Sequence, residues 1–157
     1  IPYTTRSLRK LDHGTLVPLY YLTQGKPNTQ VLSLSYSNLS LKEHFQMGKA
    51  LQRATSKNIA LVASGDMSHR LTQGAPAGFS PQGEKFDQKL IELIKNKDVE
   101  GILNMEPELV KEAGECGYRS LVILLGALSN LEWKPEVLSY EGPFGVGYLV
   151  VNFHVDN

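Results

Sequence analysis

Cysteine is almost missing from this chain: Cys116 is the only one among 157 residues. A lone thiol excludes an internal disulfide framework and a multi-thiolate metal cluster, and it suits a reducing compartment, so a cytoplasmic location is expected. Net charge is missing too. Sixteen basic residues balance sixteen acidic ones, without a block of either sign, which argues against nucleic acid or a membrane surface as partner. Long apolar runs are lacking as well. The longest, "SLVILLGAL" at 120–128, falls far short of the roughly 20 residues that span a bilayer. No repeat, linker or low-complexity tract interrupts the chain, and its length fits a single domain, 1–157, able to bury a sizeable core.

What is present reads as alternating strands and helices. "QVLSLSYS" alternates apolar and small polar residues, predicting a strand over 30–36, and "NIALVAS" over 58–64 reads as a short buried strand. Pro18 is tolerated in a first helical turn and poorly inside a helix, so a short helix is placed from about Pro18. Ser40 and Glu43 have capping-box spacing ahead of a helix from 41 to about 56. On that helix His44 falls at the edge of the apolar face and reads as a hydrogen-bonded boundary residue. Ser80-Pro81 starts another helix, through about Lys95. Two short helices fit "VEGILNM" and "PELVKEAGE", and "YRSLVILLGALSNL" is apolar on most sides, as a buried central helix is. "EVLSYEGPFGVGYLVVNFHV" reads as two strands around a glycine-rich hairpin or bulge, with His154 facing outward. The pattern predicts an α/β fold in three layers, α/β/α around a mixed sheet, with ligands gathered at the carboxyl ends of strands.

Two histidines stand where such a sheet gathers chemistry. His69 lies in a glycine- and proline-rich loop with Ser64, Asp66 and Ser68, directly after the strand ending near Ala63. His13 follows Asp12, whose carboxylate can orient its ring, and precedes Gly14, which lets backbone or ligand approach closely. Both are expected to face one cavity. The plainer reading of each is a loop histidine bonded to a carbonyl, with Asp12 or Asp66 capping the next turn. Cys116 and Arg119 precede the buried helix. In Glu115-Cys116-Gly117-Tyr118-Arg119, Arg119 could reach a carboxylate or Cys116 could be nucleophilic; no second acid–base group lies near in sequence, which favours a buried structural cysteine.

Taken together, "LDHGTLVPLYYL", "VASGDMSHRL", "ECGYRSLVILLGAL" and "LSYEGPFGVGYLVVNF" resemble the class III extradiol ring-cleavage dioxygenase family of LigB type. Within it they are most similar to the branch called AmmeMemoRadiSam system protein B, related to Memo. The resemblance runs through the whole chain, covers only the C-terminal portion of such proteins, and agrees with a start at Ile1 that reads like the middle of a protein. It implies a LigB-like domain, incomplete without its N-terminal portion, and oxidative ring cleavage of a catechol-type substrate with O2. It casts His13, with Asp12, as the catalytic histidine that handles substrate protons, and Gly14, Ser64, Asp66 and Ser68 as site-lining. It also implies Fe(II), with zinc as the alternative, held by two N-terminal histidines and a third ligand from the loop 64–69. The two N-terminal histidine motifs are absent from this chain. Some relatives carry glutamate or cysteine where Ser68 stands, and His69 is the expected ligand, since imidazole binds iron far better than a hydroxyl does. The isolated chain is therefore expected to be inactive and to hold metal weakly. The implied partners are a small aromatic substrate and either the N-terminal portion or a companion subunit, with a homo-oligomer compatible. The alternative is a Memo-like binding protein that keeps the fold without the chemistry.

Overall fold

The chain's computed structural model describes residues 11–26, 28–54 and 59–155. The opening loop, Pro27 in the expected turn, and positions 55–58, which include the foreseen end of one helix and the start of one strand, lie outside them. Six helices and a two-stranded antiparallel sheet appear among the described residues, a mixed α/β chain in keeping with a LigB-like fold.

The first helix, α1 (His13–Leu22), begins five residues earlier than Pro18 suggested, because Asp12 caps it: Asp12 Oδ1 accepts from Thr15 N–H at 2.8 Å. Pro18 therefore sits inside the helix and gives no N–H to the carbonyl one turn back, that of Gly14. α2 (Leu41–Ala54) opens on the foreseen capping box, with Ser40 N–H donating to Glu43 Oε2 (2.8 Å) and Glu43 N–H to Ser40 Oγ (3.3 Å). His44 is buried, its Nδ1 2.8 Å from Ser40 O and its Nε2 accepting from Ser37 N–H at 3.2 Å, so both ring nitrogens are engaged.

α3 (Pro81–Lys95), capped by Ser80, turns Phe86, Leu90 and Ile94 inward. Two short helices follow, α4 (Val99–Leu103) and α5 (Pro107–Ala113). α6 (Tyr118–Leu128) is the buried central helix, with every residue from Val122 to Leu128 buried. It crosses α2 closely, and Phe86 meets Tyr118 edge-on with ring centroids 5.9 Å apart. β1 (Trp133–Glu141) and β2 (Tyr148–Val155) form the antiparallel pair, joined through a 3₁₀ turn at Pro143–Gly145. The register shift lies inside β1, between Val137 and Ser139, rather than among the glycines. His154 is exposed on β2, 2.7 Å from Glu136 Oε2 across the pair.

One detail of the expected sheet differs. Segments 30–36 and 59–64 carry no ladder among the described residues. They lie instead along α6, where Leu34, Tyr36, Leu61, Val62 and Ala63 line a shallow depression with Ser120, Ile123 and Leu124. The apolar patterns encode a sheet-like segment; a ladder also needs a neighbouring strand to accept its hydrogen bonds. These segments expose Val31, Leu32, Ile59 and Val62, and α1 exposes Leu16, Val17, Tyr20 and Tyr21.

Candidate metal-binding loop

The loop 66–71 has no helix or strand of its own, yet its backbone is held on three sides. Met67 N–H donates to Gly147 O (2.9 Å), Gly147 N–H to Ser68 O (2.8 Å) and Leu71 N–H to Gly145 O (3.0 Å), so the glycine-rich stretch before β2 is a backbone clamp on this loop. His69 N–H donates to Ala113 O at the end of α5 (3.1 Å). Ser68 is fully buried; its N–H donates to Asp87 Oδ1 (2.8 Å) and its hydroxyl to Ala113 O (2.9 Å). Ser68 thus anchors the loop to the core. Asp87 on α3 is itself buried, and burial pushes its carboxyl above the usual range against the hydrogen bonds from Ser68 N–H and Tyr140 O–H (2.7 Å).

On the third side the loop meets the start of α6. Asp66 O accepts from Cys116 N–H (3.3 Å) and Gly117 N–H (2.9 Å). The backbones touch here: a side chain on Gly117 would lie 2.9 Å from both Asp66 O and Gly65 O. This contact brings three functional groups together. Asp66 N–H donates to Cys116 Sγ at 3.1 Å, Cys116 Sγ lies 3.7 Å from His69 Nε2, and His69 Nε2 lies 3.3 Å from Asp66 Oδ2. One ligand atom from each residue falls within 4.8 Å of the others, and all three residues are half-buried. Sequence reasoning named Asp66 and His69 as candidates and read Cys116 as a structural cysteine, because its partners are remote along the chain, 47 positions away for His69. The available signal was small: Gly65 before Asp66 and Gly117 after Cys116, two residues that let backbones meet.

Burial pushes the Cys116 thiol up, and the charges of Asp66 and Glu115 add to that, while the hydrogen bond from Asp66 N–H opposes it. Glu115 is also pushed up by burial, against the 2.6 Å bond from Tyr118 N–H and the charge of Arg119. Tyr36, at the end of the first segment along α6, is raised by burial and by the Cys116 and Glu115 charges. Arg119 Nε is buried with no hydrogen-bond partner among the described residues.

The Asp12-His13-Gly14 turn reaches this region through one bond, Ser64 Oγ to Gly14 O at 2.6 Å. Asp12 serves as the helix cap, and the Thr15 N–H bond holds its carboxyl below the usual range. His13 is exposed in the first turn of α1. Gly14, Ser64, Asp66 and His69 therefore belong to two fastened segments, while Ser68 is turned into the core.

A histidine and a carboxylate on the clamped loop and a thiol at the start of α6 thus form a cluster that could hold a metal ion. Comparison places the chain further. Residues 1–151 match the family described as the catalytic LigB subunit of aromatic ring-opening dioxygenase, and the chain belongs to that family. It is 42% identical over 144 residues to a protein of Clostridium acetobutylicum, covering 90% of this chain and 31% of that relative. It is 25% identical over 147 residues to a MEMO1 family protein of Sulfurisphaera tokodaii, covering 86% of this chain and 48% of that relative. The chain thus spans about a third to a half of these curated relatives. No helix among the described residues is long and apolar enough to cross a membrane.

Proposed function

We propose that the chain supplies part of a metal-dependent LigB-type site for extradiol cleavage of a catechol-type substrate with O2, working in the cytoplasm. The observation that carries this reading is the Ser64–Gly14 hydrogen bond, which fastens the turn bearing His13 to the loop bearing His69. His13, exposed at the start of α1, is the general acid–base, and Asp12 fixes the turn on which it stands. His69 is the metal ligand of the loop. The donor set fits a divalent cation: imidazole and carboxylate stand 3.3 Å apart with a thiol beside them. Bound there, iron would supply a Lewis-acidic meeting place for substrate and oxygen. The family's ligand set needs two further histidines, and the reading assigns them to the N-terminal portion or to a companion subunit. The exposed apolar residues of α1 and of segments 30–36 and 59–64 are the surface that such a partner would cover.

Oxygen uptake with a catechol panel tests the reading, using Fe(II)-loaded protein extended N-terminally through the two family histidine motifs. Turnover that drops about 10²–10⁴-fold in His13→Ala supports it. A folded, iron-binding protein without uptake overturns it and favours a second reading, a Memo-like binding protein that keeps the fold. The burial of Ser68, where some relatives carry a ligating side chain, is the observation on that side.

A further inference from the structure

We propose that Arg119 anchors a carboxylate on the ligand of this site, so that the substrate is an aromatic acid rather than an uncharged catechol. The inference deepens the functional reading. It rests on that reading for the aromatic ring and on Arg119 alone for the charge.

Arg119 is half-buried in the first turn of α6, one turn along from Cys116. Its Nε is buried without a hydrogen-bond partner, and no ion pair among the described residues includes its guanidinium. Arg70, whose Nε is likewise buried and unpartnered, at least reaches Glu112 Oε2 through Nη1 at 3.4 Å. Glu115, the nearest acid to Arg119 along the chain, does not play that part. Its carboxylate accepts from Tyr118 N–H at 2.6 Å, and its own burial disfavours the negative charge that would answer the guanidinium. A guanidinium does not escape burial by losing its proton, as a lysine can. The fold therefore holds a permanent cation with an unused donor beside its candidate site, an arrangement that calls for a counter-ion.

The placement agrees with the chemistry. Positions 116, 119, 120 and 123 follow the i, i+3, i+4, i+7 spacing of one helix face. Ser120 and Ile123 line the depression together with Tyr36, so Tyr36 lies along that face, where its hydroxyl feels the charges of Cys116, Glu115 and Arg119. Residues three apart on a helix stand roughly 5–6 Å from each other, about the span of one aromatic ring. A ring with its hydroxyls toward His69 thus brings a carboxylate on its far edge to Arg119. The planar guanidinium fork meets a carboxylate through two parallel N–H···O bonds. A neutral analogue leaves the same donors unpaired, and that penalty is what makes Arg119 a determinant of specificity. An acidic side chain of the N-terminal portion would offer the same carboxylate chemistry, and the experiment separates the two sources.

The metal-free, N-terminally extended protein is titrated by calorimetry with benzoate and with benzamide, its neutral counterpart. Benzoate should bind at least about 10-fold more tightly than benzamide; Arg119→Gln should erase that preference, and Arg119→Lys, which keeps the charge but loses the fork, should retain only part of it. The Nε–H magnetic resonance signal of Arg119 should shift as benzoate is added. Far-ultraviolet circular dichroism establishes that each variant is folded, and if a variant unfolds the signal of the parent protein decides. Absence of benzoate binding, equal binding of the two probes, or unchanged benzoate affinity in folded Arg119→Gln overturns the anchor. An Arg119 signal that does not respond to benzoate overturns it too, and assigns the carboxylate to the N-terminal portion. Because the titration is read without iron or oxygen, its failure strikes this inference alone, and a failure of oxygen uptake strikes the ring-cleavage reading alone.

Discussion

Ser64 Oγ donates to Gly14 O at 2.6 Å, and the carbonyl it reaches is the one that Pro18 leaves without a helical donor. An internal proline normally breaks a helix because it orphans the carbonyl four residues back. Here the loop supplies the missing donor, and the defect in α1 becomes the point of attachment between the His13 turn and the His69 loop.

Because α1 buries none of its residues, this bond matters locally more than globally. Ser64→Ala should cost about 0.5–1.5 kcal/mol of attachment. Hydrogen exchange of the α1 amides should accelerate while those of α6 stay protected. Unchanged exchange in α1 would show that something other than Ser64 holds it.

The α2–α6 crossing depends on the absence of two side chains. A methyl group on Gly126 would collide with the Phe45 carbonyl, and one on Gly48 with the Ile123 carbonyl. Gly126→Ala should therefore destabilise by about 1–3 kcal/mol or more despite improving helix propensity, because the helices must separate. A denaturation midpoint equal to that of the parent would mean that the crossing is looser than it looks.

Much of this was legible in the sequence. The Ser40–Glu43 box, the Ser80-Pro81 start and the apolar run of α6 are local signals, and each became the element it predicted. Legibility ended where the physics is nonlocal. Whether 30–36 joins a ladder depends on a neighbouring strand; whether Pro18 begins α1 or lies inside it depends on Asp12 and Ser64; whether Cys116 has a partner depends on two glycines on different segments. The Asp66–His69 pair was visible as spacing, and its third member was visible only as contact.

Within α6 the two adjacent leucines should respond differently. Leu125 is 1% exposed and packed in the core, so Leu125→Ala should cost about 2–5 kcal/mol through lost burial and a cavity. Leu124 borders the shallow depression beneath segments 30–36 and 59–64, where neighbours can settle into the gap. Leu124→Ala should fall at the lower end of that range. Equal urea midpoints for the two variants would place the depression inside the core.

Asp87 gives the chain a pH dependence whose sign follows from its surroundings. The carboxyl is fully buried, and burial raises it above the unfolded value of about 3.9, even though Ser68 N–H and Tyr140 O–H stabilise its charge. Between the unfolded and the folded pKa the native state binds more protons, so stability from this group falls as pH rises through that window and stays lower above it. Asp87→Asn keeps an acceptor for Ser68 N–H and an amide to meet Tyr140, but cannot ionise. Relative to the parent, the Asn variant should therefore gain stability between about pH 4 and pH 7, because all other titrating groups are shared and cancel in the difference. Asp87→Ala should instead lose about 1–3 kcal/mol throughout, since it leaves the buried Ser68 N–H unpaired. Urea unfolding of the three proteins at both pH values measures these differences. A parent-to-Asn difference that does not change with pH would mean that Asp87 folds with its charge fully compensated, and that the loop carrying His69 rests on an ordinary carboxylate.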